Sequence, residues 1–217
     1  VHGTNCPIQD EGNNIIAQAC YQIAKEFDIE PYDEHTGKGV LRHVIGRIGQ
    51  SGWMIILVTA TEHLPHQEKW VEKLTERVPQ VETIVHNVNG KRTNVILGPK
   101  NTVLYGDGTI TDHIKDLRFT LSPHSFFQVN PEQTTVLYDQ ALAYADLKGN
   151  ETVIDAYCGT GTISLFLAHK AKHVIGIEIV EPAIINAREN AQRNGYDNTE
   201  FIVADAAVEM PKLYKAG

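Results

Sequence analysis

Sulphur is scarce in this chain. Its 217 residues carry three cysteines and two methionines. Cys6, Cys20 and Cys158 are odd in number and far apart, so they set out no disulfide framework and fit a reducing, cytoplasmic setting. No apolar run approaches the roughly 20 residues that a membrane span needs. The first five residues, Val-His-Gly-Thr-Asn, lack the basic start and apolar core of a secretory signal. With no initiator Met, the chain reads as a piece of something longer. Excess positive charge is missing too. Twelve Lys and Arg face fifteen Asp and Glu in residues 1–120, and seven face twelve in residues 121–217. That balance opposes indiscriminate phosphate binding, which depends on basic neutralisation. No internal repeat or low-complexity segment occurs.

What is there is an ordinary globular composition, 42% hydrophobic and 21% charged, with room for one large domain or two small ones. Ile15, Ile16, Ala19, Cys20, Ile23 and Phe27 recur at helical spacing and predict an amphipathic helix over 13–27. Residues 40–48 and 53–59 are β-rich runs around Gly49-Gln50-Ser51-Gly52, a hairpin pattern. A helix is predicted over 66–78, then short strands at 81–87, 94–97, 103–105 and 117–121 in a mostly antiparallel series. Residues 1–121 therefore suggest a small α+β domain.

The character changes after Pro123. Asn130 is placed to cap a helix over 131–145, with Pro131 in its first turn. Strand and helix then alternate: 152–157, 162–170, 173–179, 181–194 and 200–204. Such alternation marks a parallel sheet with crossover helices. Three parallel strands are only half of a doubly wound sheet, so residues 122–217 look cut short, and no element is predicted past 210. The edge of a truncated sheet offers a pairing surface to a second copy.

Val153-Ile154-Asp155-Ala156-Tyr157-Cys158-Gly159-Thr160-Gly161-Thr162 is the most informative segment. A strand ends at Asp155, a glycine-rich turn follows, and a helix opens at Thr162. Gly159 and Gly161 remove side chains where a ligand must approach backbone, and the helix start offers free N–H groups. Gly-x-Gly alone also describes a plain tight turn. Two further carboxylates weigh against that: Glu178 at the second strand end, suited to ribose hydroxyls, and Asp205 after the third, suited to an adenine amino group. Each alone is also a common helix cap. Together they line one crevice at the carboxyl edge of a parallel sheet. A dinucleotide fingerprint wants a third glycine where Ser164 stands. Asp155 before the glycines suits a cationic amino-acid tail better than a pyrophosphate. These residues favour S-adenosylmethionine over NAD.

Ser125-Phe126-Phe127-Gln128-Val129-Asn130-Pro131, the glycine segment and Gly176-Ile177-Glu178 together resemble the bacterial RNA uracil-5-methyltransferases, most of all the 23S rRNA enzymes of Gram-positive type. Leu41-Arg42-His43, Asn87, Asn89, Thr93 and Asn94 are similar to that family's central domain, so the resemblance covers essentially the whole chain. It implies an α/β fold: an incomplete Rossmann-like methyltransferase domain (122–217) preceded by a small α+β central domain (1–121). It implies that Gln128, Tyr157, Thr162, Glu178 and Asp205 contact S-adenosylmethionine beside Asp155, Gly159 and Gly161. Phe126 and Phe127 are expected to pack the domain junction.

The resemblance also implies a mechanism for the parent protein, whose partner is RNA. A cysteine thiolate attacks C6 of uridine, C5 takes the methyl group from S-adenosylmethionine, and a carboxylate base removes the C5 proton so that the thiolate leaves C6. The nucleophile and base follow an Asp-Pro-Pro-Arg type motif that does not occur here, so both are expected beyond Gly217 and this chain alone is expected to be inactive. A helix N-terminus lowers a thiol pKa, but Cys158 belongs to the cofactor turn and reads as a small packing residue; Cys20 reads as core. Cys6-Pro7 matches the fourth ligand of the iron–sulphur cluster found in many relatives. One cysteine cannot hold a cluster, so none is expected, and His63, His66, His86, His113 and His124 show no metal-ligand spacing. Gly37, Lys38, Arg42, His43 and Arg47 form a modest basic strand that either faces RNA or is merely solvated. A methyltransferase for another substrate, or a non-catalytic RNA- or cofactor-binding module, are the alternative readings.

Overall fold

The structure, a computed structural model, describes residues 6, 7, 9–128 and 130–216; Val129 of the 125–131 motif lies outside these. The chain divides into two compact units, Val1–Thr111 and Asp112–Gly217.

In the first unit, α1 (Glu11–Glu26) starts where the Asp10 carboxylate accepts a hydrogen bond from Gly12 N at 2.8 Å. The hairpin predicted around residues 49–52 is present as β1 (Leu41–Ile48) and β2 (Trp53–Thr59), paired antiparallel. α2 (Gln67–Arg77) crosses over to β3 (Val81–Val88), which runs parallel to β2, and β4 (Lys100–Tyr105) closes the sheet antiparallel to β3. The four strands lie in sequence order. Ile16, Cys20 and Ile23 of α1 and Trp70 and Leu74 of α2 pack against Ile55, Leu57 and Ile84, all at most 1% exposed. Each such side chain contributes about 1.5–3 kcal/mol by leaving water.

The strand expected over 94–97 is irregular instead. Side-chain amides take the carbonyls that a ladder would have used. Asn89 Nδ2 donates to Val95 O and Ile96 O at 2.6 and 2.9 Å, while Asn87 Nδ2 donates to Gly98 O and its Oδ1 accepts from Gly98 N.

β5 (Ile110–Ile114) and β6 (Leu117–Leu121) form a two-stranded sheet joined by a turn with Lys115 at φ 52°. β5 was not foreseen. In the second unit, α3 (Pro131–Ala145) begins as expected, with Asn130 Oδ1 accepting from Gln133 N at 3.0 Å and Pro131 in the first turn. β7 (Thr152–Asp155), α4 (Thr162–Ala168), β8 (His173–Glu178), α5 (Glu181–Arg193) and β9 (Thr199–Val203) alternate as predicted. Their strands make a parallel sheet in the order β7-β8-β9.

Two expectations need correcting. The chain continues into α6 (Ala206–Ala216), with Pro211 inside it. Asp205 starts this helix by accepting from Ala207 N at 2.8 Å, which offsets part of the cost of the interior proline. The compact units also meet before residue 112, earlier than the expected 121/122 division. β6 is bonded along α5, which places it with the second unit: Thr120 N donates to Asn190 Oδ1 at 2.9 Å.

Candidate functional site

The parallel sheet brings the ends of β7, β8 and β9 to one edge, since Asp155 pairs with Gly176 and Glu178 with Val203. Between β7 and α4 the chain must turn sharply, and the turn is pinned by its own backbone. Cys158 N donates to Ile177 O at 3.0 Å and Gly161 N to Cys158 O at 2.8 Å. Gly159 and Gly161 both take left-handed backbone, φ 53° and 81°. They differ in what surrounds them. A Cβ at Gly161 would lie 3.1 Å from the Phe201 ring and 3.2 Å from Ala187 Cβ, so this glycine serves packing. A Cβ at Gly159 would meet nothing within 4 Å. Gly159 thus presents bare backbone to open space, the cradle that a ligand lying on the turn requires.

Glu178 ties the turn to the neighbouring strand end. One of its oxygens accepts from Gly159 N at 3.3 Å and the other from Val180 N at 3.0 Å. Each oxygen keeps a free lone pair, so the carboxylate is oriented without being used up. Ala204 N donates to Glu178 O at 3.0 Å, which draws the end of β9 and Asp205 alongside. Asp155 is half-buried, and Ser164 Oγ donates to it at 2.6 Å. Burial pushes the Asp155 carboxyl above its usual range, the Ser164 and Tyr157 bonds oppose this, and the nearby Glu178 charge adds to it.

Thr162 opens α4 and shares a hydrogen bond with Tyr138 OH at 2.9 Å. Tyr157 is 81% exposed at the same edge. Gln128 is half-buried just ahead of α3, and among the described residues no hydrogen bond joins it to the turn. Asp155, Gly159, Gly161, Glu178 and Asp205 are therefore brought together directly, Thr162 through α4, and Gln128 only by its place in the chain. A separate cleft of about 510 Å³ lies along α5 and the start of β9, lined by Arg188, Gln192 and Glu200 among others. It holds none of these residues, so strand-end geometry and not cavity size marks the site.

The cysteines divide clearly. Cys158 is 4% exposed. Burial first, then Asp155 and Glu178, push its thiol up to about 12, against the lowering that a helix start alone suggests. A Cβ on Gly176 would lie 2.9 Å from Cys158 Sγ, which marks the sulphur as packing under the turn. Cys20 is likewise pushed up to about 12 by burial. Cys6 is half-buried, and among the described residues no three metal-ligating side chains gather. Phe127 packs on Phe119 with ring centroids 5.9 Å apart, but Phe126, expected to pack as well, is 73% exposed.

Within the basic segment Arg42 turns inward, while Lys38 is exposed and His43 and Arg47 are half-buried. Arg42 has a side chain only 2% exposed, bonded to Glu34 and to the carbonyls of Asn89, Lys91 and Thr93. It braces a loop and presents no charge outward. Sequence reasoning missed Ser164 as a partner of Asp155, Tyr138 as a partner of Thr162, and the asparagines of α5 and its C-cap. Three of the latter at four-residue spacing (Asn186, Asn190, Asn194) was the available signal.

The fold and the bonded strand-end set define the second unit as a Rossmann-like domain of the methyltransferase type, and residues 147–217 match the family described as a methyltransferase domain. Among curated relatives, an uncharacterized RNA methyltransferase of Halalkalibacterium halodurans is 51% identical over 214 residues, 98% of this chain and 47% of the relative. One from Clostridium acetobutylicum is 49% identical over 216 residues, 98% and 46%. The chain thus spans about half the length of the curated relatives it matches. Among solved structures, the Pyrococcus abyssi tRNA (uracil-54, C5)-methyltransferase in complex with S-adenosyl-L-homocysteine matches with TM-score 0.77 and 26% identity, over 94% of this chain and 49% of that one. Methanocaldococcus jannaschii Trm5 in complex with adenosine, at TM-score 0.51 and 16% identity over 88% and 53%, shares the fold.

Proposed function

We propose that this chain carries the S-adenosylmethionine site of an RNA methyltransferase, and that the whole protein methylates C5 of uridine. The observation that carries the reading is the bonded set at the strand ends: Gly159 facing open space, with Glu178 held against its N–H and Asp205 drawn alongside. S-adenosylmethionine supplies an electrophilic methyl group. Glu178 would accept from the ribose hydroxyls with its remaining lone pairs, Asp205 from the adenine amino group, and Asp155 from the cationic amino-acid end. Gly159 and Gly161 let the turn approach the cofactor, and Thr162, Gln128 and the exposed Tyr157 ring complete its surround. The names of the relatives support an RNA substrate; the 125–131 motif and the uracil-C5 enzyme among the solved structures support uridine C5.

Covalent attack at C6 requires a thiolate. Cys20 and Cys158, with thiols pushed up to about 12, remain protonated near neutral pH and do not supply one. We place the nucleophile and base in the remainder of the whole protein, which would act in the cytoplasm. No helix among the described residues is long and apolar enough to cross a membrane. β7, bonded only to β8 among the described strands, would give the isolated chain a dimerising edge.

The test is tritium release. The whole protein with S-adenosylmethionine should release tritium from RNA labelled at uridine C5 and leave 5-methyluridine, with 23S rRNA the preferred substrate over tRNA. This chain alone should release none. A methyl group found on any other base or position would overturn the uridine-C5 reading.

A further inference from the structure

α5 runs beside β6 as if it were a strand. Asn194 both accepts from Arg118 N (2.9 Å) and donates to Arg118 O (2.7 Å). One helical turn earlier, Asn190 Oδ1 accepts from Thr120 N at 2.9 Å. A turn before that, Asn186 Nδ2 donates to Ser122 Oγ and Ser125 Oγ at 3.3 and 3.2 Å. The spacing fits because four helical residues advance about 6 Å and two strand residues about 6.6 Å. Asparagine is a poor helix-interior residue because its amide competes for backbone; here Asn186 and Asn190 inside α5 and Asn194 at its C-cap direct their amides to β6 and to the serines just after it.

Asn190 does more than the other two. Its Nδ2 donates to Thr160 O, in the glycine turn, at 3.1 Å. Asn190 is 0% and Thr160 2% exposed, so this carbonyl has no water to replace a lost donor. We infer that Asn190 is a positioning residue for the cofactor: its amide holds the carbonyl between Gly159 and Gly161 and so fixes the turn on which the ligand lies. The same helix, through Asn186, holds Ser125, whose Oγ also accepts from Ser122 N at 2.9 Å. The 125–131 motif and the glycine turn, remote in sequence, are thereby set by one row of amides. This inference rests on the proposed cofactor reading.

The test separates positioning from mere support. Asn190→Asp keeps the acceptor for Thr120 N and loses the donor to Thr160 O; Asn190→Ser is the milder change without added charge. Asn194→Ala removes the clamp on Arg118 and the bond from Asn194 Nδ2 to Asn190 O, and keeps the bond from Asn190 Nδ2 to Thr160 O. Each is made in the 217-residue chain, checked for folding by circular dichroism and thermal melting, titrated with S-adenosylhomocysteine, and followed by amide exchange over residues 158–162. Both Asn190 variants should weaken binding about ten-fold or more and speed exchange in the turn, while Asn194→Ala lowers the melting temperature and leaves both readouts within about two-fold. Binding losses that simply track melting temperature across all three variants would overturn the inference. So would unchanged binding and exchange in the Asn190 variants, or their failure to fold when Asn194→Ala folds. If the unaltered chain binds no S-adenosylhomocysteine, the functional reading fails, and exchange in the turn alone decides the role of Asn190.

Discussion

Strand β2 is bonded on both sides, and Met54, Ile55, Ile56, Leu57 and Val58 are all 0% exposed. β7 is bonded to β8 alone among the described strands; Thr152 and Ile154 are exposed and Val153 and Asp155 half-buried. The two strands differ in their neighbours within this chain, which spans about half the length of the curated relatives it matches. The first unit puts its strands to work as core, with helices α1 and α2 over one face. The second brings Asp155, Glu178 and the bare backbone of Gly159 to one edge of its parallel sheet. The contrast in burial between β2 and β7 can be tested strand by strand.

The largest effect falls on β2. Leu57→Ala should cost about 2–5 kcal/mol, whereas Ile154→Ala in β7, at 38% exposure, should cost less than about 1 kcal/mol. Urea unfolding measures both. Trp53 and Trp70 are the only tryptophans and lie in the first unit, so their fluorescence isolates the β2 change while far-ultraviolet dichroism follows both. Equal costs at the two positions would remove the contrast.

Next comes the packing beneath the site. A Cβ on Gly176 would stand 2.6 Å from the Phe201 ring and 2.9 Å from Cys158 Sγ. Gly176→Ala should therefore destabilise by about 1–3 kcal/mol through overpacking. Gly159→Ala meets no neighbour and bears only the strain of its left-handed backbone, about 1–2 kcal/mol. It should nevertheless abolish measurable S-adenosylhomocysteine binding at concentrations that saturate the unaltered chain. A Gly159→Ala chain that binds normally would show that the open space over the turn is not the cofactor cradle.

The smallest effect is electrostatic. Burial raises the Asp155 carboxyl, so the folded state holds its proton more tightly than the unfolded state does. This contribution to stability is fully present below the ordinary aspartate value and is lost as pH rises through the raised one. Asp155→Asn should lack that loss, and urea midpoints measured from acid to neutral pH should converge at low pH and separate on the neutral side. Midpoints that separate instead on the acid side would reverse the sign assigned to burial.

Much of this was legible in residue order, for identifiable reasons. Asn130-Pro131 wrote the start of α3 in local chemistry, and the strand–helix alternation from residue 152 carried the parallel sheet. Asp155, Gly159, Gly161, Glu178 and Asp205 follow from where strands end. What escaped was set by distant partners. The apolar run 94–97 yielded its carbonyls to Asn89, and Pro211 masked a helix that Asp205 caps. Arg42, basic in sequence, is spent on three carbonyls and Glu34. Ser164 counted only as a missing glycine until Asp155 stood beside it, and Asn190 acts on backbone 30 residues away.

The most direct test of the account is calorimetric titration of the chain with S-adenosylhomocysteine, beside Glu178→Ala. The account predicts saturable one-to-one binding by the unaltered chain and none by the variant, with tryptophan fluorescence the same in both. No binding by the folded chain, or binding that survives Glu178→Ala undiminished, would contradict the placement of the cofactor at the ends of β7, β8 and β9.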